Sequence, residues 1–151
     1  MIRTLLVALL LFSAAPASAA AQPVAMRTGS VVLPAGYTHV AFGGTDSSPG
    51  YFERTGGGFM VHYDIGGMAG IHMSELRRAE CVWYVEHEVN GRRAYTGVVR
   101  EGGGRRIITT IMGKPGEFGS VPANFTADVL DDRDVAEFML IVGSYVPAPQ
   151  R

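Results

Sequence analysis

From Gln22 onward, apolar positions come in short runs between glycine and proline punctuation, and stretches of helical period are scarce. Runs rich in Val, Ile, Thr, Tyr and Phe with turn signals between them predict an antiparallel all-β domain. The alternation is clearest between Cys81 and Met112. Cys81 to Val89 reads as a strand, Asn90-Gly91 as a type I′ turn and Arg92 to Arg100 as the return strand. Both central residues of such a turn need positive φ, which Asn and Gly tolerate. Glu101-Gly102-Gly103-Gly104 then turns the chain into a third strand, Arg105 to Met112.

Two-residue turns fix the register, and the register sorts side chains onto faces. Val89 should face Arg92, His87 face Ala94, Val85 face Thr96 and Trp83 face Val98. A second turn centred on Gly102-Gly103 sets Val98 against Ile107 and Ala94 against Ile111. The predicted core face is therefore Cys81, Trp83, Val85, His87, Ala94, Val98, Ile107 and Ile111. The opposite face carries Glu86, Glu88, Arg93, Tyr95 and Arg106, with Glu88 across from Arg93.

Further strands are expected at Ser30 to Leu33, Tyr37 to Phe42, Gly58 to Ile65 and Phe125 to Leu130. Gln22 to Thr28 and Val146 to Arg151 read as loose ends. Val135 to Tyr145 is ambiguous. Its apolar run Phe138 to Val142 suits a buried central strand, and the β-branched pair Ile141-Val142 followed by Gly143 favours that reading. The alternative is a helix capped by Asp131, with Val135, Phe138, Met139 and Val142 on one face. Ser74 to Glu80 is predicted as a short helix with Ser74 as its cap.

Asp134-Val135-Ala136-Glu137-Phe138 resembles the D-x-A-x-Y segment that enters the sixth strand of immunoglobulin-like sandwiches. Phe138 stands where that family has tyrosine, and there is no cysteine pair. The resemblance implies a Greek-key, immunoglobulin-like β-sandwich. A small β-barrel is the alternative architecture.

The N-terminus changes where such a domain is expected to act. Met1 to Thr4 carries one positive charge, Leu5 to Phe12 is unbroken apolar, and Ala17-Ser18-Ala19 supplies small residues at a cleavage site. That order is a secretory signal peptide, and the apolar run is well short of the ~20 residues of a membrane-spanning helix. Residues 1–21 are thus expected to be removed, with cleavage after Ala19 or Ala21, leaving a single β-rich domain over 22–151 that works in the periplasm or outside the cell. Thirteen basic residues, Arg3 among them, against fourteen acidic ones leave a small negative charge. General nucleic-acid binding is not expected of such a balance, and no second apolar run would integrate into a membrane. Cys81 is the only cysteine, so the fold rests on its core rather than on an internal disulfide. A lone cysteine of this kind reads best as a small buried hydrophobe.

Candidate chemistry is sparse. His62 and Asp64 lie two apart and share a face of the predicted strand. His72 follows the glycine-rich Gly66-Gly67-Met68-Ala69-Gly70, a loop expected to fold it back toward them. Imidazole and carboxylate ligands of that kind suit zinc or another divalent cation, so His62, Asp64 and His72 form a candidate metal site. His87, on the core face, reads as a neutral imidazole near the strand end, hydrogen-bonded to backbone or reaching solvent. Ser74 and Ser120 lack the G-x-S-x-G elbow of a serine nucleophile. Glu86 and Glu88 lie on the polar face, and Asp131, Asp132 and Asp134 sit in a turn, so neither set reads as a glycosidase pair. Asn124-Phe125-Thr126 fits the N-glycosylation sequon.

No catalytic motif emerges, and the leading expectation is a non-catalytic binding or accessory domain of the cell envelope. It would engage a protein or a glycan partner through glycine-rich loops. The alternatives are a small metal-binding protein or metal-dependent enzyme using His62, Asp64 and His72, and a carrier of apolar ligands inside a β-barrel.

Overall fold

The computed structural model describes residues 20–69, 73, 81–114 and 121–149. The expected signal segment through Ala19, His72, the expected helix at Ser74 to Glu80, and Ser120 lie outside the described residues.

Among the described residues, ten strands and one helix make an all-β domain: β1 (Gln22–Met26), β2 (Gly29–Leu33), β3 (Tyr37–Ala41), β4 (Ser47–Arg54), β5 (Met60–Gly66), β6 (Cys81–Val89), β7 (Arg92–Glu101), β8 (Gly104–Ile111), β9 (Ala123–Val129), α1 (Asp132–Gly143) and β10 (Val146–Pro147). Seven strands form one antiparallel sheet in the order β3-β4-β5-β9-β8-β7-β6. The other three form a small sheet, β1-β2-β10. The chain leaves β5, crosses to the far edge at β6, and meanders back until β9 pairs with β5, a Greek-key type of return. β3 and β6 remain as open edges, so the sandwich does not close into a barrel. Among the described residues no helix is long and apolar enough to cross a membrane.

The central meander pairs in the expected register. Val89 faces Arg92, His87 faces Ala94, Val85 faces Thr96 and Trp83 faces Val98. Across the second hairpin Val98 faces Ile107 and Ala94 faces Ile111. Asn90 and Gly91 take φ of 49° and 73°, as the type I′ turn requires. Three details differ. A register shift between Cys81 and Trp83 turns Cys81 to the outer face, where its Sγ would lie 3.3 Å from a Cβ on Gly97. Trp83 is 44% exposed on β6, the edge strand of the large sheet. Arg93 pairs with Glu86, 3.3 Å from its Nε, rather than with Glu88 directly opposite.

Val135 to Tyr145, expected as a strand, is mostly the helix α1. Asp131 caps it by accepting a hydrogen bond from the Asp134 amide at 3.0 Å. Asp132 and Asp134 in the first turn complement the helix dipole. Phe138, Ile141 and Val142 are fully buried on the face turned to the sheet. The segment that resembles an immunoglobulin sixth strand is therefore helical.

The core lies between the inner face of the large sheet and a cover made of α1 and the small sheet. Val31 and Leu33 of β2 join Phe138, Ile141 and Val142 of α1 above Phe52, Val61, Ile65, Ile107, Ile111 and Phe125. Each such side chain contributes roughly 1.5–3 kcal/mol by leaving water, so this core holds the fold without a disulfide. The supposed loose ends take part: β1 and β10 pair with opposite sides of β2.

Candidate functional site

Strand alternation builds a polar groove on the outer face of the large sheet. In β5, Val61, Tyr63 and Ile65 enter the core, so His62 and Asp64 face outward. In β9, Phe125 and Ala127 are inside and Asn124, Thr126 and Asp128 are outside. In β8, Arg106, Ile108 and Thr110 share that outer face. The register lines these residues up: His62 faces Thr126, which faces Ile108, while Asp64 faces Asn124, which faces Thr110. The resulting groove, about 210 Å³, is lined by His62, Asp64, Arg106, Ile108, Asn124 and Thr126, with Tyr63 at its base.

A relay of hydrogen bonds sets the orientation of the floor. The Met73 amide donates to the Thr110 hydroxyl at 2.6 Å. Thr110 in turn donates to Asn124 Oδ1 at 2.7 Å. Asn124 is 3% exposed, and its Nδ2 finds no acceptor among the described residues. A buried amide N–H pair without acceptors costs about 1–3 kcal/mol. At one wall, Arg106 is held by Asp128 at 2.8 Å and Glu101 at 2.7 Å, so its charge is balanced within the protein. At the other, the His62 ring lies 5.9 Å from that of Tyr51, which lies 5.6 Å from that of the exposed Phe42. The groove thus combines amide and hydroxyl groups, one imidazole and an aromatic margin.

The expected metal ligands are placed in part. His62 and Asp64 do share a face and line one groove. His72 lies outside the described residues, and among the described residues no group of three His, Cys, Asp or Glu side chains comes together. The other two histidines serve the interior. His39 Nε2 lies 2.8 Å from the Tyr63 hydroxyl, and burial lowers its pKa. His87 Nε2 lies 2.8 Å from the Thr96 hydroxyl, which lies 2.7 Å from that of Thr109. Its partner is thus a buried side chain rather than backbone.

Asn124 and Thr126 were visible in the sequence only as a sequon. Their alternation with Asp128 on a β-branched, aromatic strand is the signal that places both on one face. In the folded chain Asn124 is too buried to carry a glycan. No known protein family, curated protein or solved structure matches this chain.

Proposed function

We propose that this protein is an exported, non-catalytic binding domain that takes a hydroxyl-rich ligand, a glycan, in the outer-face groove of its large sheet. The observation that carries the reading is the groove itself: a hollow of about 210 Å³ lined by the polar side chains of His62, Asp64, Arg106, Asn124 and Thr126. Sugar hydroxyls supply donors and acceptors for the Thr126 hydroxyl and the His62 ring, and the Tyr51 ring offers an apolar platform of the kind a pyranose face packs on. The glycine turns at Gly56 to Gly58 and Gly102-Gly103 reverse hairpins and bring no chemical groups of their own. Recognition is therefore assigned to the groove rather than to the loops. An apolar-ligand carrier would need an enclosing barrel, and this sheet is open.

Saturation-transfer NMR of the purified protein against envelope oligosaccharides tests the proposal. Wild type should show sugar signals that Thr126→Val and Tyr51→Ala weaken about tenfold. Absence of any sugar signal, or equal binding by these variants, would overturn it. A second reading rests on His62 and Asp64 lining the same groove: a divalent metal completed by His72. Zinc should then raise the melting temperature of wild type and not of His62→Ala, and a chelator should reverse it.

A further inference from the structure

The outer-face groove does not end at His62. A second hollow, about 290 Å³, opens on the other side of that imidazole and is lined by Glu53, Gly58, Phe59, Met60, His62 and Asp128. The same strands build both. In β5, Met60 lies on the outer face with His62 and Asp64, while Val61 and Tyr63 point inward. On β4, Tyr51 faces His62 and Glu53 faces Met60. On β9, Asp128 stands two residues beyond Thr126, the partner of His62. The register therefore lays the two hollows end to end along β5, with His62 as the sill they share.

From Asp64 to Met60 the strand advances roughly 13 Å, so the joined trough is longer than one sugar ring. The aromatic row meets it from the side: Phe42, Tyr51 and His62 follow one another at ring separations of 5.6 and 5.9 Å and reach the trough at the sill. A ring packed on Tyr51 thus has open trough on both sides of it. A platform placed midway, rather than against a closed end, suits the interior of a chain and not its terminus. A chain that fills both hollows makes its second contact intramolecularly, at a high effective concentration.

The charges along the trough also select. Arg106, at the first hollow, is balanced by Asp128 and Glu101. The second hollow is bordered by the carboxylates of Glu53 and Asp128, and no arginine or lysine lines it among the described residues. Carboxylates accept from sugar hydroxyls and repel acidic sugars.

We propose, resting on the glycan reading of the groove, that the trough holds the interior of a linear, uncharged glycan chain. Successive sugar units occupy the two hollows, and the unit over the sill packs on Tyr51.

Saturation-transfer NMR titrations of the whole protein test this. The probes are neutral envelope oligosaccharides, fractionated from disaccharide to hexasaccharide, and an acidic fraction of hexasaccharide length. Wild type should bind the neutral hexasaccharides about tenfold or more tightly than the disaccharides, the gain expected of a second linked contact. It should also prefer them to the acidic fraction. Met60→Ala and Glu53→Ala should each reduce hexasaccharide binding toward disaccharide strength and leave disaccharide binding unchanged. Glu53→Gln should narrow the gap between neutral and acidic chains. Thr126→Val, in the first hollow, should weaken every length. Equal affinity across lengths in wild type overturns the proposal and leaves glycan binding in the groove standing. Equal losses of both lengths in Met60→Ala and Glu53→Ala do the same, as does a preference for the acidic fraction. No sugar signal at any length overturns the glycan reading itself, and the proposal with it. If Met60→Ala does not fold, Glu53→Ala decides, and unchanged hexasaccharide binding there overturns the proposal.

Discussion

The Tyr37 hydroxyl donates a 2.5 Å hydrogen bond to Glu137 Oε2, joining the edge strand β3 to the helix α1. Arg54 of β4 reaches the same carboxylate at 3.0 Å and Asp134 at 3.2 Å, and Arg133 reaches the other oxygen of Glu137 at 2.7 Å. This network pins the first turns of the helix over the β3-β4 corner. Burial alone would raise the Glu137 pKa, but hydrogen bonds from Tyr37, Arg133 and Arg54 outweigh it and hold the carboxyl below its usual value. A carboxyl lowered on folding stabilises the native state above its unfolded pKa, near 4.5, and loses that contribution as pH falls through its folded value. Wild type should therefore lose melting temperature more steeply than Glu137→Gln on acidification below about pH 4.5. At neutral pH, Tyr37→Phe should cost about 1–2 kcal/mol in urea unfolding. Parallel acid limbs for wild type and Glu137→Gln would contradict this account.

Asp131 gives a separate handle on the same helix. Its side chain accepts from the Asp134 amide, one of the unpaired donors at the helix start. Asp131→Ala should cost about 1 kcal/mol, and Asp131→Ser should restore most of it. Equal stability of the alanine and serine variants would mean that the cap contributes nothing beyond helix propensity.

That cap also shows how far the sequence could be read. Asp131 and the apolar positions Val135, Phe138, Met139 and Val142 carry a helical pattern, yet Ile141-Val142 argues locally for a strand. Tertiary packing decided it, because an amphipathic helix covers the open core face that β2 alone leaves bare. The meander was legible to the single pair because Asn90-Gly91 and Gly102-Gly103 fix register with two-residue turns. The strand β4 was hidden behind Thr45-Asp46-Ser47-Ser48-Pro49-Gly50, residues that spell a loop. Of the groove, His62 and Asp64 were readable from period-two alternation, whereas Asn124, Thr126 and Arg106 came to them only through β5-β9 and β9-β8 pairings remote in sequence.

Export is open to a direct check. Expressed from Met1 in a bacterial secretion host, the protein recovered outside the cytoplasm should begin at Ala20 or Gln22 by intact mass. β1 starts at Gln22, so either cleavage keeps the strand that pairs with β2. Recovery of the uncut chain from membranes would instead identify an N-terminal anchor.

Gly50 explains how β4 fits despite its loop-like composition. A Cβ there would lie 2.3 Å from the Tyr63 hydroxyl and 2.6 Å from the Val40 carbonyl oxygen. The Tyr63 ring, stacked on Phe52 with centroids 5.1 Å apart, occupies the space that a side chain would take. Its hydroxyl is held there by His39 at 2.8 Å, so the ring cannot withdraw without breaking that bond. Gly50→Ala should therefore destabilise the fold by about 1–3 kcal/mol, the usual cost of overpacking. Gly43→Ala, where an added Cβ meets nothing within 4 Å, is the matched control and should stay within about 0.5 kcal/mol of wild type. Tyr63→Leu should relieve the clash with the ring, so the double variant should lose less than the two single losses added together. The remaining contact with the backbone oxygen of Val40 keeps it from full recovery. Strict additivity in urea unfolding would show that the strain at Gly50 comes from the Val40 backbone alone and that Tyr63 yields freely.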